Sequence, residues 1–107
     1  MGWRWRWGWK GKGRIPRWIY LQELPRVQEF VPEKKVVKEP MILSYAEFEA
    51  IRLIDLEDLT VEEAGKRMNV SRGTVWRLIN SARKKIAKAL VEGRPIKIES
   101  LGEIERI

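Results

Sequence analysis

The sequence predicts a mainly α-helical protein with a minor β component, in which three helices form a helix-turn-helix unit flanked by short strands and a flexible N-terminal arm. The helix-start signals, the apolar spacing that follows them and the length of the chain support this fold class. Two helix-start signals of the Ser/Thr-x-x-Glu type and a third start at Ser71 are each followed by apolar residues at helical spacing. A length of 107 residues corresponds to one domain that is large enough to bury a core.

The N-terminal part of the chain lacks helical signals. Residues 1–14 have low complexity, with a tryptophan at every second position from Trp3 to Trp9 and three glycines near the end, so they predict a flexible basic arm. Residues 15–43 contain four prolines and short β-branched runs. This composition predicts an extended segment with short strands.

The first helix is predicted to begin after Ser44, because Glu47 completes a capping box and residues 45–56 contain neither Gly nor Pro. Its end is predicted near Glu57 or Asp58. The apolar side chains of this helix exceed one stripe, so a second side needs a cover. We expect the preceding extended segment to supply it.

The second helix is predicted from Val61 to about Met68, after a capping box formed by Thr60 and Glu63. A tight turn follows, in which Asn69 tolerates the left-handed conformation at little cost.

The third helix is predicted to begin after the N-cap Ser71 and to stop at Gly93, two residues before Pro95. Its apolar residues occupy one arc and its polar and basic residues the opposite arc, so one face is core and the other is available for contact. The helix-turn-helix domain is thus predicted over residues 44–92, and residues 93–107 are predicted to form a short extended tail.

The positive charge is concentrated in two segments. The chain has a net charge of +7, and residues 1–18 hold six cations without an acid. Residues 71–91 hold another six cations without a carboxylate. A solvated helix face normally mixes both signs, so this absence of acids favours a polyanionic partner.

The residue types that the chain lacks argue against several classes of function. The chain has no Cys and no His, which removes disulfides, thiolate sites and the usual metal ligand and neutral-pH base. We therefore expect no enzyme activity, no cofactor and no metal. We also expect a cytoplasmic location without a membrane partner, because neither a bilayer-spanning run nor a secretory signal is recognised.

The third helix carries the residue types that read base edges in the major groove of DNA. Arg forks onto guanine, Asn pairs with adenine, and an aromatic ring can contact a thymine methyl. The predicted base contacts are Arg72, Gly73, Trp76, Arg77 and Asn80. Hydroxyls, cations and helix N-termini hold phosphates. The predicted phosphate contacts are Thr60, Lys66, Arg67, Ser71, Thr74, Arg83 and Lys84.

The arm allows three readings. In an extended chain the tryptophans project to one side and the cations to the other. This pattern suits single-stranded or minor-groove nucleic acid, the headgroups of an anionic membrane, or a disordered solubilising tail. The predicted arm contacts with nucleic acid are Arg4, Arg6, Lys10, Lys12 and Arg14.

Two resemblances follow from these residues. The segment TVEEAGKRMNVSRGTVWRLINSARKKI resembles the helix-turn-helix of region four of bacterial sigma factors, which that family uses to read promoter DNA. The resemblance implies a winged-helix-type DNA-binding class. From about residue 14 to residue 98 the chain resembles the small predicted DNA-binding proteins of the domain of unknown function 134 family. The segment LSYAEFEAIRLIDLEDLTVEEAGKRMNVSRGTVWRLINSARKKIAKALVEGRPIKI carries that likeness. Main-type sigma factors have Glu and Arg near positions 73 and 76, where this chain has Gly73 and Trp76, so their promoter specificity does not transfer.

These observations predict a sequence-specific binder of double-stranded DNA that acts as a transcriptional regulator. A homodimer is expected, since one such module makes few base contacts and symmetric pairing doubles them. Two alternatives stay open. One is a non-enzymatic interaction module that binds RNA polymerase or a sigma-like partner, and the other is an RNA-binding protein that uses the Trp/Arg arm.

Overall fold

The computed structural model describes residues 2–8, 13–34 and 36–107. In these residues six strands and three helices are arranged as a mixed α/β fold. Their order is β1 (Trp3–Trp7), β2 (Ile19–Leu21), β3 (Glu29–Phe30), β4 (Met41–Ser44), α1 (Tyr45–Ile51, continued by a π-helical turn at Arg52–Leu56), α2 (Val61–Met68), α3 (Arg72–Glu92), β5 (Ile96–Glu99) and β6 (Gly102–Arg106). The predicted mainly α fold is wrong, because the strands form two three-stranded sheets.

The first sheet has the order β2-β1-β6 and joins the two ends of the chain. Strand β1 pairs antiparallel with β2, and also with β6 in a register that sets Trp5 opposite Ile104. Residues 3–7 of the predicted flexible arm therefore form a paired strand, and the predicted extended C-terminal tail contributes β5 and β6 to the two sheets. The alternation of Trp and Arg is a two-residue period, which is the period of a strand with one buried face.

The second sheet has the order β3-β5-β4, with β3 antiparallel and β4 parallel to β5. Strand β4 leads directly into α1, and β5 follows α3 after a turn at Gly93, whose φ of 69° is left-handed. The parallel pair thus needs the helices as its crossover connection.

Helix α1 begins as predicted. Its N-cap Ser44 and Glu47 form a reciprocal capping box. The helix widens into a π-helical turn, after which Asp58 takes a left-handed conformation with φ of 59°. Nε of Arg52, the first residue of the turn, donates a hydrogen bond of 2.9 Å to the carboxylate of the fully buried Glu49 in α1, so the buried charge is paired.

The α2-turn-α3 unit lies at the predicted positions. A capping box of Thr60 and Glu63 starts α2, and Asn69 ends it in the left-handed conformation with φ of 60°. The turn is tight because the amide of Val70 donates to the carbonyl of Gly65 at 2.9 Å. A Cβ on Gly65 would lie 2.8 Å from the carbonyl oxygen of Val70, so this close approach requires glycine.

The main core is shared by the three helices and the first sheet. Its buried members are Trp5, Ile19, Leu21, Ala46, Ala50, Leu53, Ala64, Met68, Val75, Leu78 and Ile79. A smaller cluster of Leu43, Ala82 and Ile98 joins the second sheet to α3. The helix-turn-helix is therefore held against strands that come from both ends of the chain. None of the helices in the described residues combines the length and apolar character that a bilayer span requires.

Candidate nucleic-acid interface

The outer face of α3 begins at its N-terminal turn and carries all the predicted base contacts. Arg72, Gly73, Trp76, Arg77 and Asn80 are all exposed, whereas Val75, Leu78 and Ile79 between them are buried in the core. Trp76 keeps 55% of its surface exposed although it is a large aromatic residue. The core thus orients this face outward, but whether the five residues contact DNA stays a prediction.

One flank of this face is neutralised by ion pairs. Arg72 lies 2.9 Å from Glu62 on α2, and Arg83 lies 2.5 Å from Asp55 in the π-helical turn. The hydrogen bonds from Arg83 lower the pKa of the Asp55 carboxyl below its ordinary value. Both pairs are open to solvent, so water and salt weaken them, and a phosphate could replace either carboxylate.

The other flank presents cations that have no carboxylate within 4 Å in the described part of the chain. Arg77, Lys84 and Lys88 lie within an arc of about 40° on the helix surface, since each residue advances by about 100°. In the described residues the guanidinium of Arg77 makes one hydrogen bond, to the hydroxyl of Thr74 at 3.4 Å. This flank is an unpaired basic stripe that is free to attract a polyanion.

Two of the three predicted hydroxyl contacts, Thr60 and Ser71, also serve as helix caps, and the third, Thr74, lies in the first turn of α3. Oγ1 of Thr60 accepts the amide of Glu63 at 3.1 Å, and Oγ of Ser71 accepts the amide of Thr74 at 3.2 Å. Oγ of Ser71 also lies 3.1 Å from Oγ1 of Thr74. The caps use oxygen lone pairs, so the hydroxyl hydrogen of Thr60 and one of the two hydroxyl hydrogens of the Ser71–Thr74 pair remain for a phosphate.

The cations predicted on α2 are both exposed. Arg67 donates to the side-chain oxygen of Gln22 at 3.2 Å and lies 4.0 Å from Glu57. Lys66 lines the open groove beside the turn, together with Ser71 and Arg72 at the start of α3. Lys66 is thus the α2 cation nearest to the outer face of α3, and both residues stay predicted phosphate contacts.

Glu47 fixes the orientation of α3 against the start of α1. Its carboxylate accepts the amide of Ser44 at 2.8 Å, the hydroxyl of Ser81 at 2.5 Å and the ammonium of Lys85 at 3.0 Å. Burial opposes ionisation, but these donors outweigh it and the pKa of Glu47 is lowered. The capping box predicted Glu47 at the helix start, whereas its link to α3 became visible only in the structure.

Two arm cations form ion pairs with glutamates of the same chain. Arg4 pairs with Glu105 at 2.5 Å and Arg6 with Glu103 at 2.7 Å across the β1–β6 ladder. Both guanidinium groups also lie over the ring of Trp18, at 4.4 and 4.3 Å from its centroid. Contacts of Arg4 and Arg6 with nucleic acid stay predictions that require these pairs to open.

The tryptophans of β1 differ in exposure, because Trp3 is half-buried, Trp5 faces the interior and Trp7 is 44% exposed. Trp5 is completely buried, and its indole nitrogen donates to the carbonyl of Ser100 at 2.8 Å. This position removes the Trp5 ring from base stacking and from a membrane surface. Arg14 is exposed, and the predicted contacts Lys10 and Lys12 lie outside the described residues.

Arg17 is not among the predicted contacts, but it lies at the groove beside the α2–α3 turn. Arg17 is exposed, and its groove includes Lys66 and Ser71. Local sequence signals could not reveal this position, because it depends on the pairing of β2 with β1. In residues 2–8, 13–34 and 36–107 we find no cluster of three metal-ligating side chains.

The comparisons with known proteins decide the family. The model of the family described as "Protein of unknown function DUF134" matches residues 4–107. The chain belongs to this family. It is 49% identical to a UPF0251 protein of Archaeoglobus fulgidus over 85% of this chain and 87% of that protein. It is 57% identical to a UPF0251 protein of Pyrococcus abyssi over 68% of this chain and 69% of that protein.

The family also has bacterial members. The chain is 47% identical to a UPF0251 protein of Caldanaerobacter subterraneus over 80% of this chain and 75% of that protein. No solved structure matches the chain. The family resemblance inferred from the sequence is thus confirmed.

Proposed function

We propose that this DUF134 protein binds double-stranded DNA sequence-specifically through α3 and acts as a transcriptional regulator without catalytic activity. The observation that carries the proposal is the outer face of α3, which presents Arg77 and Asn80 to solvent beside a basic stripe that lacks carboxylates. A helix-turn-helix lays its second helix in the major groove while the first helix braces on the backbone.

The side chains have distinct roles in this proposal. Arg77 forks onto guanine O6 and N7, Asn80 pairs with adenine N6 and N7, and Trp76 lies against a thymine methyl or a sugar edge. Gly73 lets the backbone approach the groove closely. Lys66 and Lys84 hold phosphates and set the register of the helix without reading sequence.

The proposed functional form is a homodimer. One helix in one groove reaches only a few base pairs, whereas two symmetric helices read two half-sites about 34 Å apart. The measurable consequence is an operator with two-fold symmetry, together with a mass twice that of the chain in sedimentation.

The proposal is tested by selecting ligands from a random duplex pool and then measuring the affinity of variants for the selected site. Changing Arg77 or Asn80 to Ala is expected to cost about 1 to 3 kcal/mol and to relax base preference at one position. Arg26→Ala serves as the control, because Arg26 is exposed and lines a different groove, beside Phe30 and Phe48. Parental affinity and base preference in both variants would refute base reading by α3.

A second candidate function is an interaction module for RNA polymerase or a sigma-like partner. The observation that favours it is an apolar groove that includes Val27, Phe30 and Leu56, which are 51%, 56% and 74% exposed. Exposed apolar groups in one groove are typical of protein contacts. The test is the binding of purified RNA polymerase by two variants of the chain. Loss of binding in Leu56→Asp together with retained binding in Arg77→Ala would favour this function over DNA reading.

The RNA-binding alternative receives no support from β1. Trp5 is buried, and although Trp7 is 44% exposed, the two cations of the strand, Arg4 and Arg6, are paired with Glu105 and Glu103. Base stacking needs exposed rings beside free cations.

A further inference from the structure

The connection between β1 and β2 leaves the first sheet beside α3. Strand β1 ends at Trp7, where the connection begins. Trp7 is 44% exposed and lines a groove together with Thr74, Arg77 and Ser81 of α3. The ring of Trp7 packs edge-on against that of the buried Trp5, with the centroids 4.7 Å apart. The start of the connection is therefore anchored in the core and held next to the base-reading face.

The same connection returns to the sheet on the other side of the helix. Arg17, just before β2, lines the open groove formed by Glu62, Lys66, Ser71 and Arg72. No carboxylate lies within 4 Å of the Arg17 guanidinium in the described residues. Glu62, the carboxylate of this groove, pairs with Arg72 at 2.9 Å instead.

Trp7 and Arg17 lie on opposite flanks of the first turns of α3. Arg72, which lines the same groove as Arg17, and Arg77, which lines the same groove as Trp7, are separated by about 140° around the helix axis, since five residues advance by about 500°. A helix in the major groove has one phosphate backbone along each flank. The two ends of the connection are therefore positioned at opposite strands of a duplex seated on α3.

We propose that two described positions at the ends of the β1–β2 connection are further DNA contacts. Arg17 binds a phosphate of the DNA strand beside the α2–α3 turn, and the backbone at Trp7 and Gly8 approaches the opposite DNA strand. This inference rests on the proposed DNA binding by α3 and adds its flanking contacts. The contact of Arg17 is electrostatic and independent of sequence, because the groove faces the phosphates rather than base edges.

The first test is the salt dependence of duplex binding by the full chain. Each phosphate contact contributes a slope of about 0.9 in log affinity against log salt, so loss of one contact weakens binding about eightfold at 0.1 M salt and leaves affinity near 1 M unchanged. Arg17→Ala is expected to show this loss on selected and unrelated duplexes alike. Arg26→Ala, which removes the same charge elsewhere on the surface, is expected to keep the parental slope.

The second test locates the two ends of the connection on the DNA. The chain has no Cys, so a single introduced thiol can carry an iron chelate that cleaves nearby nucleotides. Suitable positions are Arg17→Cys and Gly8→Cys, since a Cβ at Gly8 meets nothing within 4 Å. The two probes are expected to cleave opposite strands on either side of the footprint of α3, whereas a probe in Arg26→Cys leaves both strands intact.

The outcomes separate this inference from the proposed function. A parental salt slope in Arg17→Ala, or cleavage of neither strand by the probes at positions 8 and 17, overturns the inference while specific binding that depends on Arg77 stands. Failure of the parent chain to bind any duplex overturns both. A reduced slope together with cleavage of opposite strands supports the inference.

Discussion

Truncation of Trp5 tests whether the N-terminal strand is part of the folded core. The side chain is completely buried between the first sheet and the helices, and it donates a hydrogen bond to the carbonyl of Ser100. Replacing a buried Trp by Ala costs about 3 to 5 kcal/mol through lost transfer energy and the cavity that remains. Trp5→Ala is therefore expected to remove about that much from the free energy of unfolding, which is a large share of a domain stability of about 5 to 15 kcal/mol.

The assay is equilibrium unfolding in urea followed by far-UV circular dichroism, because fluorescence would change with the removed indole itself. With an m-value of about 1 to 3 kcal/mol per molar, the midpoint is expected to fall by on the order of 2 M. Trp76→Ala is the matched control, since Trp76 is the same residue type but 55% exposed on α3. Its midpoint is expected to shift little.

A loss below about 1 kcal/mol in Trp5→Ala would refute the structural role of β1, because a cavity of this size cannot form in a close-packed core at so small a cost. Residues 1–14 would then behave as the flexible arm that the composition predicts.

Three further predictions concern the turn and the buried carboxylate. Gly65→Ala is expected to destabilise the fold by about 1 to 3 kcal/mol, because the added Cβ would lie 2.8 Å from the carbonyl oxygen of Val70. This loss is expected despite the better helix propensity of Ala. A raised melting temperature would contradict the close contact. Asn69→Ala is expected to lower the free energy of unfolding by about 1 kcal/mol, because residue 69 has a left-handed φ of 60°. Asn69→Gly is expected to stay near the parent in the same melting experiment, since glycine adopts this conformation freely. An equal loss in both variants would assign the effect to the Asn69 side chain instead. The pKa of Glu47 is lowered because its donors outweigh its burial, so its contribution is fully present above about pH 4.5 and is lost as the pH falls through the folded-state value. The difference in free energy of unfolding between the parent and Glu47→Gln is therefore expected to be constant near neutral pH and to narrow below pH 4.5. A difference that does not change with pH would exclude ionisation of Glu47 as its origin.

The helix boundaries and the composition of the outer face of α3 could be predicted from the chain alone. Ser44 and Thr60 cap through partners three residues away, and Asn69 and Gly93 end helices by their own backbone conformation. Such interactions form within one turn of backbone, so short stretches of residues encode them. The carboxylate-free segment around α3 is likewise a property of adjacent residues.

The two sheets and the partners of the basic residues emerged only on folding. Strand β1 pairs with β6 from the opposite end of the chain, and this pairing sets Arg4 and Arg6 against Glu105 and Glu103. A two-residue alternation of Trp and Arg is equally compatible with a free arm and with a buried strand, because the pattern does not identify what covers its apolar side. Long-range pairing resolves that ambiguity, and it also brings Arg17 to α3, since a side chain's neighbours across a sheet depend on register rather than on local sequence.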